Sequence, residues 1–344
     1  MAQLYKALLL VLLVSALLSG CAQRPAPDEP VSEPEAMTEP DPLMAGAMSE
    51  AELLAQPIRF YLNLPYAGNA NPRQQLDIYV PERPSYVPMP VVIYLHGGLW
   101  QEGDKAEAPG RLLPLVASGD YALVSVGYRL TDEAQWPAQL HDVKAAIRWV
   151  RARSDDYGID PQRIAVWGRD AGGQLALMSG MTNNAQDMAG NLGPYTHIRS
   201  DVAAVVNYSG LTDLNALLDQ ESSIDRAAGN APEALLVGGN LRDNNDIASA
   251  ASAIHYIRSN APPVLTVHGT EDEVVPYQQA RSFHQRLEEA EVEAFMISLL
   301  GTGHGSAQHQ QVPAAWTEAD KRARQFLDRV LLGRNQQVDT SSIE

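Results

Sequence analysis

The stretch that most constrains what this chain can fold into runs from Ile164 to Met181. A short apolar run, Ile164–Trp167, leads without a spacer into Gly168-Arg169-Asp170-Ala171-Gly172-Gly173 and then into an apolar helical pattern ending near Met181. A strand that turns directly into a helix crowds its own backbone, so small residues must flank the turn and the residue at its tip is held in a strained conformation. Here the tip is Asp170. The helix behind it aims its first amides at the same place, so the amide of Ala171 is set to help hold a developing negative charge.

The surrounding pattern supplies a sheet for this turn to sit on. Val91–Leu95, Tyr121–Val126, Val202–Tyr208, Val264–His268 and Ala294–Leu299 are short apolar runs of the kind expected for strands covered on both faces. Phe60–Leu64 and Leu76–Val80 read as early edge strands. Between them, Ala138–Arg153 repeats Leu140, Val143, Ala146, Ile147 and Val150 at helical spacing, and further helices are expected near Tyr277–Ala290 and Pro313–Leu332. Alternation of this kind predicts an α/β domain over residues 58–332, with a mostly parallel central sheet of about eight strands flanked by helices. The segment of about 210–262 is long for a connection and is expected to fold as a small cap over the strand ends. Residues 333–344 are polar and expected to be a frayed, flexible tail.

Two loops add chemistry to the turn. His268-Gly269-Thr270-Glu271-Asp272 places an acid just past a strand, where it can orient an imidazole, and Gly301-Thr302-Gly303-His304-Gly305 puts a histidine on the loop after the last strand. His96-Gly97-Gly98 follows another strand and offers backbone donors. Glu271 and Glu273, which flank the acid, read as solvated loop charges. The histidines lack metal-ligand spacing, so no metal and no cofactor is implied.

The order of turn, acid and histidine resembles the α/β hydrolases. The segment Gln135–Leu177, the His96-Gly97-Gly98 loop and the Asp272 and His304 loops resemble the bacterial esterase and feruloyl-esterase-like branch of that superfamily, near the hormone-sensitive-lipase type and kynurenine formamidases. That resemblance implies a hydrolase of carboxylesterase or lipase type acting on small-molecule ester or acyl substrates. It further implies Asp272 as acid, His304 as base, and Gly97, Gly98 and Ala171 as oxyanion donors.

One residue departs from the family pattern: Asp170 stands where a serine attacks the acyl carbon. A carboxylate with a reference pKa of ~3.9 needs no base to become anionic. It is nevertheless a poor nucleophile toward esters, because the anhydride it forms expels carboxylate in preference to alkoxide. Two alternatives therefore stand beside the esterase. In one, Asp170 and Asp272 flank His304, favour its imidazolium, and leave a catalytically degenerate protein that binds a ligand in the same pocket. In the other, Asp170 displaces a leaving group from saturated carbon, as in haloalkane dehalogenases and epoxide hydrolases. Against that reading, Ala171 stands where dehalogenases carry a halide-binding tryptophan, and core packing explains Trp100, Tyr208 and Tyr256 without a role in leaving-group activation.

The N-terminus carries its own signal. Lys6 precedes the apolar run Ala7–Leu18, shaped like the core of a signal peptide over residues 1–20, and Leu18-Ser19-Gly20-Cys21 follows. This resembles a bacterial lipobox, which implies a lipidated Cys21 and membrane attachment through it. Cys21 is the one cysteine in the sequence, so no disulfide can form within the chain. Ala22, in place of a retaining aspartate, implies an outer-membrane address facing the periplasm. Residues 21–57, with Pro25, Pro27, Pro30, Pro34, Pro40 and Pro42 among acids, read as an extended tether. The formal charge of −17 over 344 residues, with no Lys/Arg-rich run, excludes a nucleic-acid partner, because binding a phosphate backbone depends on clustered cations.

Overall fold

The computed structural model describes residues 57–82, 87–183, 185–305 and 314–344. Among them are the strands β1 (Ile58–Pro65), β2 (Gln75–Pro81), β3 (Met89–Leu95), β4 (Ala122–Val126), β5 (Ile159–Arg169), β6 (Ala204–Tyr208), β7 (Val264–Gly269) and β8 (Ala294–Leu299). The helices are α1 (Pro109–Ala117), α2 (Ala138–Ala152), α3 (Ala171–Met181), α4 (Pro232–Val237), α5 (Asn245–Ala250), α6 (Tyr277–Glu289) and α7 (Ala314–Leu332). The predicted leader, Cys21 and all but the last residue of the tether lie outside the described residues.

One eight-stranded sheet runs in the order β1-β2-β4-β3-β5-β6-β7-β8. The β1/β2 and β2/β4 pairs are antiparallel and the rest are parallel. Every residue of β3, β4, β6 and β7 is buried, which explains why these strands read as mostly apolar runs. Strand parity divides the core into two layers. Val91, Ile93, Leu95 and Val166 pack with Ile147 of α2, Leu175 of α3 and Phe283 of α6, whereas Val92, Tyr94 and Trp167 pack with Leu112 of α1 and Phe326 of α7. Burying one such aliphatic side chain contributes about 1.5–3 kcal/mol.

The architecture agrees with the α/β expectation, and three details differ. β2 is interior, bonded on both sides by β1 and β4, instead of at an edge; its five central residues are all buried, as an interior strand requires. β5 extends five residues upstream of Ile164 because Ile159 pairs with Met89 across a register shift. The C-terminal tail is not frayed. Ile343 bridges Leu299 at the β8 edge, its amide donating to the Ser298 carbonyl at 2.9 Å and its carbonyl accepting from Leu300 at 2.8 Å. Val338 and Ile343, two apolar residues in an otherwise polar tail, are both buried.

The 210–262 segment folds as short helical pieces, including α4 and α5, around Leu211, Leu214, Leu217, Leu236 and Val237, which belong to the same core layer as α2 and α3. It is tied to α3, where the Gln174 side-chain amide donates to the Ala251 carbonyl at 2.7 Å. It is also tied to the loop after β7, where the Ser223 amide donates to the Glu273 carbonyl at 2.7 Å.

Candidate active site

The β5–α3 junction is a strained elbow. Asp170 has φ 52° and ψ −121°, a left-handed conformation that costs an L-residue energy and persists only where the surroundings fix it. Its amide donates to the Tyr208 carbonyl of β6 at 2.8 Å, which holds the turn against the neighbouring strand. At Gly172 an added Cβ would lie 2.1 Å from the Leu95 carbonyl oxygen, so the close approach of α3 to β3 demands glycine there.

The loop after β3 is strained as well. Gly98, Leu99 and Trp100 have consecutive positive φ angles of 102°, 52° and 60°. The fully buried Trp100 indole anchors the turn, its Nε1 donating to Gln174 Oε1 at 3.3 Å while the Trp100 carbonyl accepts from Thr131 at 2.8 Å. Beneath it, His96 stacks on Tyr128, and burial lowers its pKa to about 4, so it is a neutral structural residue. The loop points two backbone amides at one atom: Gly98 N and Leu99 N donate to Asp170 Oδ2 at 2.8 and 2.9 Å. Asp170 Oδ1 is buried without a hydrogen-bond partner among the described residues.

Among the three donors expected from the sequence, only Gly98 bonds the Asp170 carboxylate. Gly97 instead provides room, since a Cβ there would sit 3.2 Å from Asp170 Cβ, and Ala171 heads α3 beside it. Leu99 is the second donor. A backbone amide leaves no mark on residue type, and only its place after the glycine pair hinted at it.

On the opposite side, the loop after β7 carries Asp272, buried and saturated with donors. Oδ1 accepts from the amides of Val274 at 3.0 Å and Val275 at 2.7 Å. Oδ2 meets His304 Nδ1 at 2.8 Å and His268 Nε2 at 3.2 Å. Burial alone would raise the Asp272 pKa, but the hydrogen bonds and charges of His268 and His304 overcome it and hold the carboxyl well below the usual range. His268 is a residue whose part the sequence reading missed, although its position four residues before Asp272 at the end of β7 was the available signal. Glu271 and Glu273 are exposed, as solvated loop charges should be.

His304 Nδ1 bonded to Asp272 leaves Nε2 as the basic ring nitrogen, a tautomer inferred from the partner's charge. Burial disfavours the imidazolium, yet the Asp272 hydrogen bond and the charges of Asp170 and Asp272 outweigh it and raise the pKa. Thus His304 is bonded to Asp272, and the charge of Asp170 at the elbow also acts on its ring.

An elbow between β5 and α3, an acid after β7 and a histidine after β8 on a mostly parallel sheet define an α/β hydrolase of the esterase type. Residues 76–287 match the BD-FAE family model, and the chain belongs to that family. It is 33% identical to Esterase LipC of Mycobacterium tuberculosis (strain ATCC 25618 / H37Rv) over 237 residues, covering 68% of this chain and 57% of the relative. Esterase LipQ of the same organism is 31% identical over 245 residues, covering 70% and 56%. The match thus spans little more than half the length of these relatives. Among solved structures, a truncated carbohydrate esterase from gut microbiota superposes with a TM-score of 0.67 at 30% identity, covering 76% of this chain and 95% of that one.

Proposed function

We propose that this protein is a carboxylester hydrolase acting on small esters, with His304 as general base, Asp272 as the acid that orients it, and Asp170 at the nucleophile position. The observation that carries this reading is the 2.8 Å contact between His304 Nδ1 and Asp272 Oδ2, made beside the elbow at Asp170. In this scheme His304 Nε2 takes a proton from water, which attacks the ester carbonyl directly. The esterase names of LipC and LipQ support the same substrate class. The proposal includes lipidation at Cys21 and an outer-membrane, periplasm-facing location. Loss of lipid incorporation on Cys21→Ser checks the anchor, and incorporation unchanged by that substitution would remove it.

The two amides that would receive the substrate's oxyanion are occupied by Asp170 Oδ2. That occupancy favours a second reading, a ligand-binding protein in which acyl chemistry is blocked. Hydrolysis of p-nitrophenyl acetate and butyrate by the full chain, beside His304→Ala and Asp170→Ser, separates the two. The hydrolase reading expects His304-dependent turnover with Asp170 in place, rising by about 10²-fold with serine as the amides are vacated. Activity found only with serine would establish the binding protein instead, and none with either residue would overturn the assigned site.

A further inference from the structure

The two oxygens of Asp170 lie in different surroundings: Oδ2 is held by the Gly98 and Leu99 amides, and Oδ1 is buried without a partner among the described residues. For attack on an acyl carbon this arrangement is unsuitable, because the substrate's oxyanion finds its donors taken. For attack on a saturated carbon it is better suited, since no oxyanion develops on the substrate and no donor among the described residues ties up Oδ1. We propose that Asp170 is a displacement nucleophile toward primary alkyl halides, its ester then being cleaved by water that His304 deprotonates.

In the first step a bond forms between Oδ1 and carbon while the carbon–halogen bond breaks, its electron pair leaving as halide; no proton moves. In the second, water gives a proton to His304 Nε2 and attacks Cγ of Asp170. The Cγ–Oδ2 π pair moves onto Oδ2, which already rests on the Gly98 and Leu99 amides. Collapse expels the alkoxide carrying the former Oδ1, the alkoxide takes the proton from His304, and the new carboxyl releases its own proton to water. The sum is alkyl halide plus water giving alcohol, halide and a proton.

The electrostatics favour this sequence. The charges of Asp170 and Asp272 both support the His304 imidazolium. Alkylation neutralises Asp170, so the imidazole becomes the proton acceptor when the ester is waiting for water. Ala171 brings no ring N–H to a departing halide, which confines the reaction to leaving groups stable as free anions, bromide before chloride.

The inference rests on the His304–Asp272 pair proposed above, and its test separates the two. Full-chain His304→Gln, and His304→Ala beside it, are incubated with 1-bromobutane and read by intact mass and peptide mapping. The expected result is one butyl group on Asp170, absent in Asp170→Asn. The unsubstituted protein should release bromide, and a single turnover in ¹⁸O-water should place the label in the Asp170 peptide and not in butanol. No adduct in either variant with no bromide release above the spontaneous rate, an adduct that survives Asp170→Asn, or label in first-turnover butanol would overturn it. His304-dependent ester hydrolysis without any alkyl-Asp170 would leave the esterase standing and remove the displacement.

Discussion

Asp170 Oδ2 lies 2.8 Å from the Gly98 amide nitrogen and 2.9 Å from that of Leu99, so the nucleophile position and the anion-binding loop of this fold are bonded to each other. In the proposed site, this is the place that a transition-state oxyanion would take with serine at the elbow. Three successive residues with positive φ aim those amides, and a buried tryptophan holds them there. The energy stored in the loop is therefore directed at Asp170 itself.

The Asp170 charge also acts on the proposed base. His304 has its pKa raised above 6.5, after burial is overcome by the Asp272 hydrogen bond and by the charges of Asp170 and Asp272. Catalysis needs the neutral imidazole, so the acid limb of the pH–rate profile should lie above that value. Asp170→Ser removes one of the two carboxylates and should move the limb to lower pH. The stability linked to the raised pKa is fully present below 6.5 and is lost as pH rises through the folded value. NMR titration of His304 in both proteins measures the shift, and coincident titrations would show that Asp170 does not act on the ring.

His268 should act through Asp272. It donates from Nε2 toward Asp272 Oδ2 at 3.2 Å and the Val275 carbonyl at 2.8 Å, from a fully buried position. His268→Phe keeps the bulk and removes the donor, leaving a carboxylate with one fewer bond. Destabilisation of about 1–3 kcal/mol is expected. In the Asp170→Ser background kcat should fall with KM unchanged, because the loss is in the orientation of His304 and not in substrate contacts. The depressed Asp272 pKa stabilises the fold at pH above the carboxyl's unfolded value, so acid unfolding should begin at higher pH in the variant. An unchanged kcat would make His268 a packing residue only.

The loop that carries Asp272 is clamped from the 210–262 segment. Arg226 pairs with Glu233, both buried, and also donates to the Val274 carbonyl, while the Ser222 and Ser223 hydroxyls donate to that of Glu273, each at 3.0 Å. Arg226→Met strands the Glu233 charge in the interior, and removing one partner of a buried pair costs about 3–5 kcal/mol. Arg226→Met with Glu233→Leu removes both charges and should recover much of that stability without restoring the clamp. If the clamp positions the acid, kcat stays low in the double variant. Recovery of stability and kcat together would show that the pair serves folding alone.

Legibility in the sequence followed residue chemistry. The elbow announced itself because crowded backbone requires glycine, and the central strands were visible because their buried positions are mostly apolar. Asp272 and His304 were singled out from their places after successive strands. Leu99 was not, since its contribution is an amide that any residue carries. The orientation of Asp170 into the loop was hidden for a different reason: it depends on φ angles fixed by Trp100 and Gln174, a tertiary contact 74 residues apart. The docking of the tail turned on Val338 and Ile343, too few to register as a pattern against polar neighbours.

That docking gives a last prediction. Ile343 continues the sheet beyond β8 with two backbone hydrogen bonds, and Arg322 Nη1 donates to the Ser341 carbonyl at 2.6 Å. Deleting residues 336–344 would expose the outer edge of β8, whose unpaired carbonyls and amides invite pairing with another chain. We expect a loss of about 2 kcal/mol in urea unfolding, the burial of one aliphatic side chain, and increased aggregation, because Leu299 packs in the core and the Leu300 amide is bonded to the tail at this edge. The same strand leads into the loop bearing His304, so the truncated protein should also lose part of its His304-dependent rate in the Asp170→Ser background. A truncated chain with an unchanged urea midpoint and rate would mean that the tail rests on the sheet without supporting it.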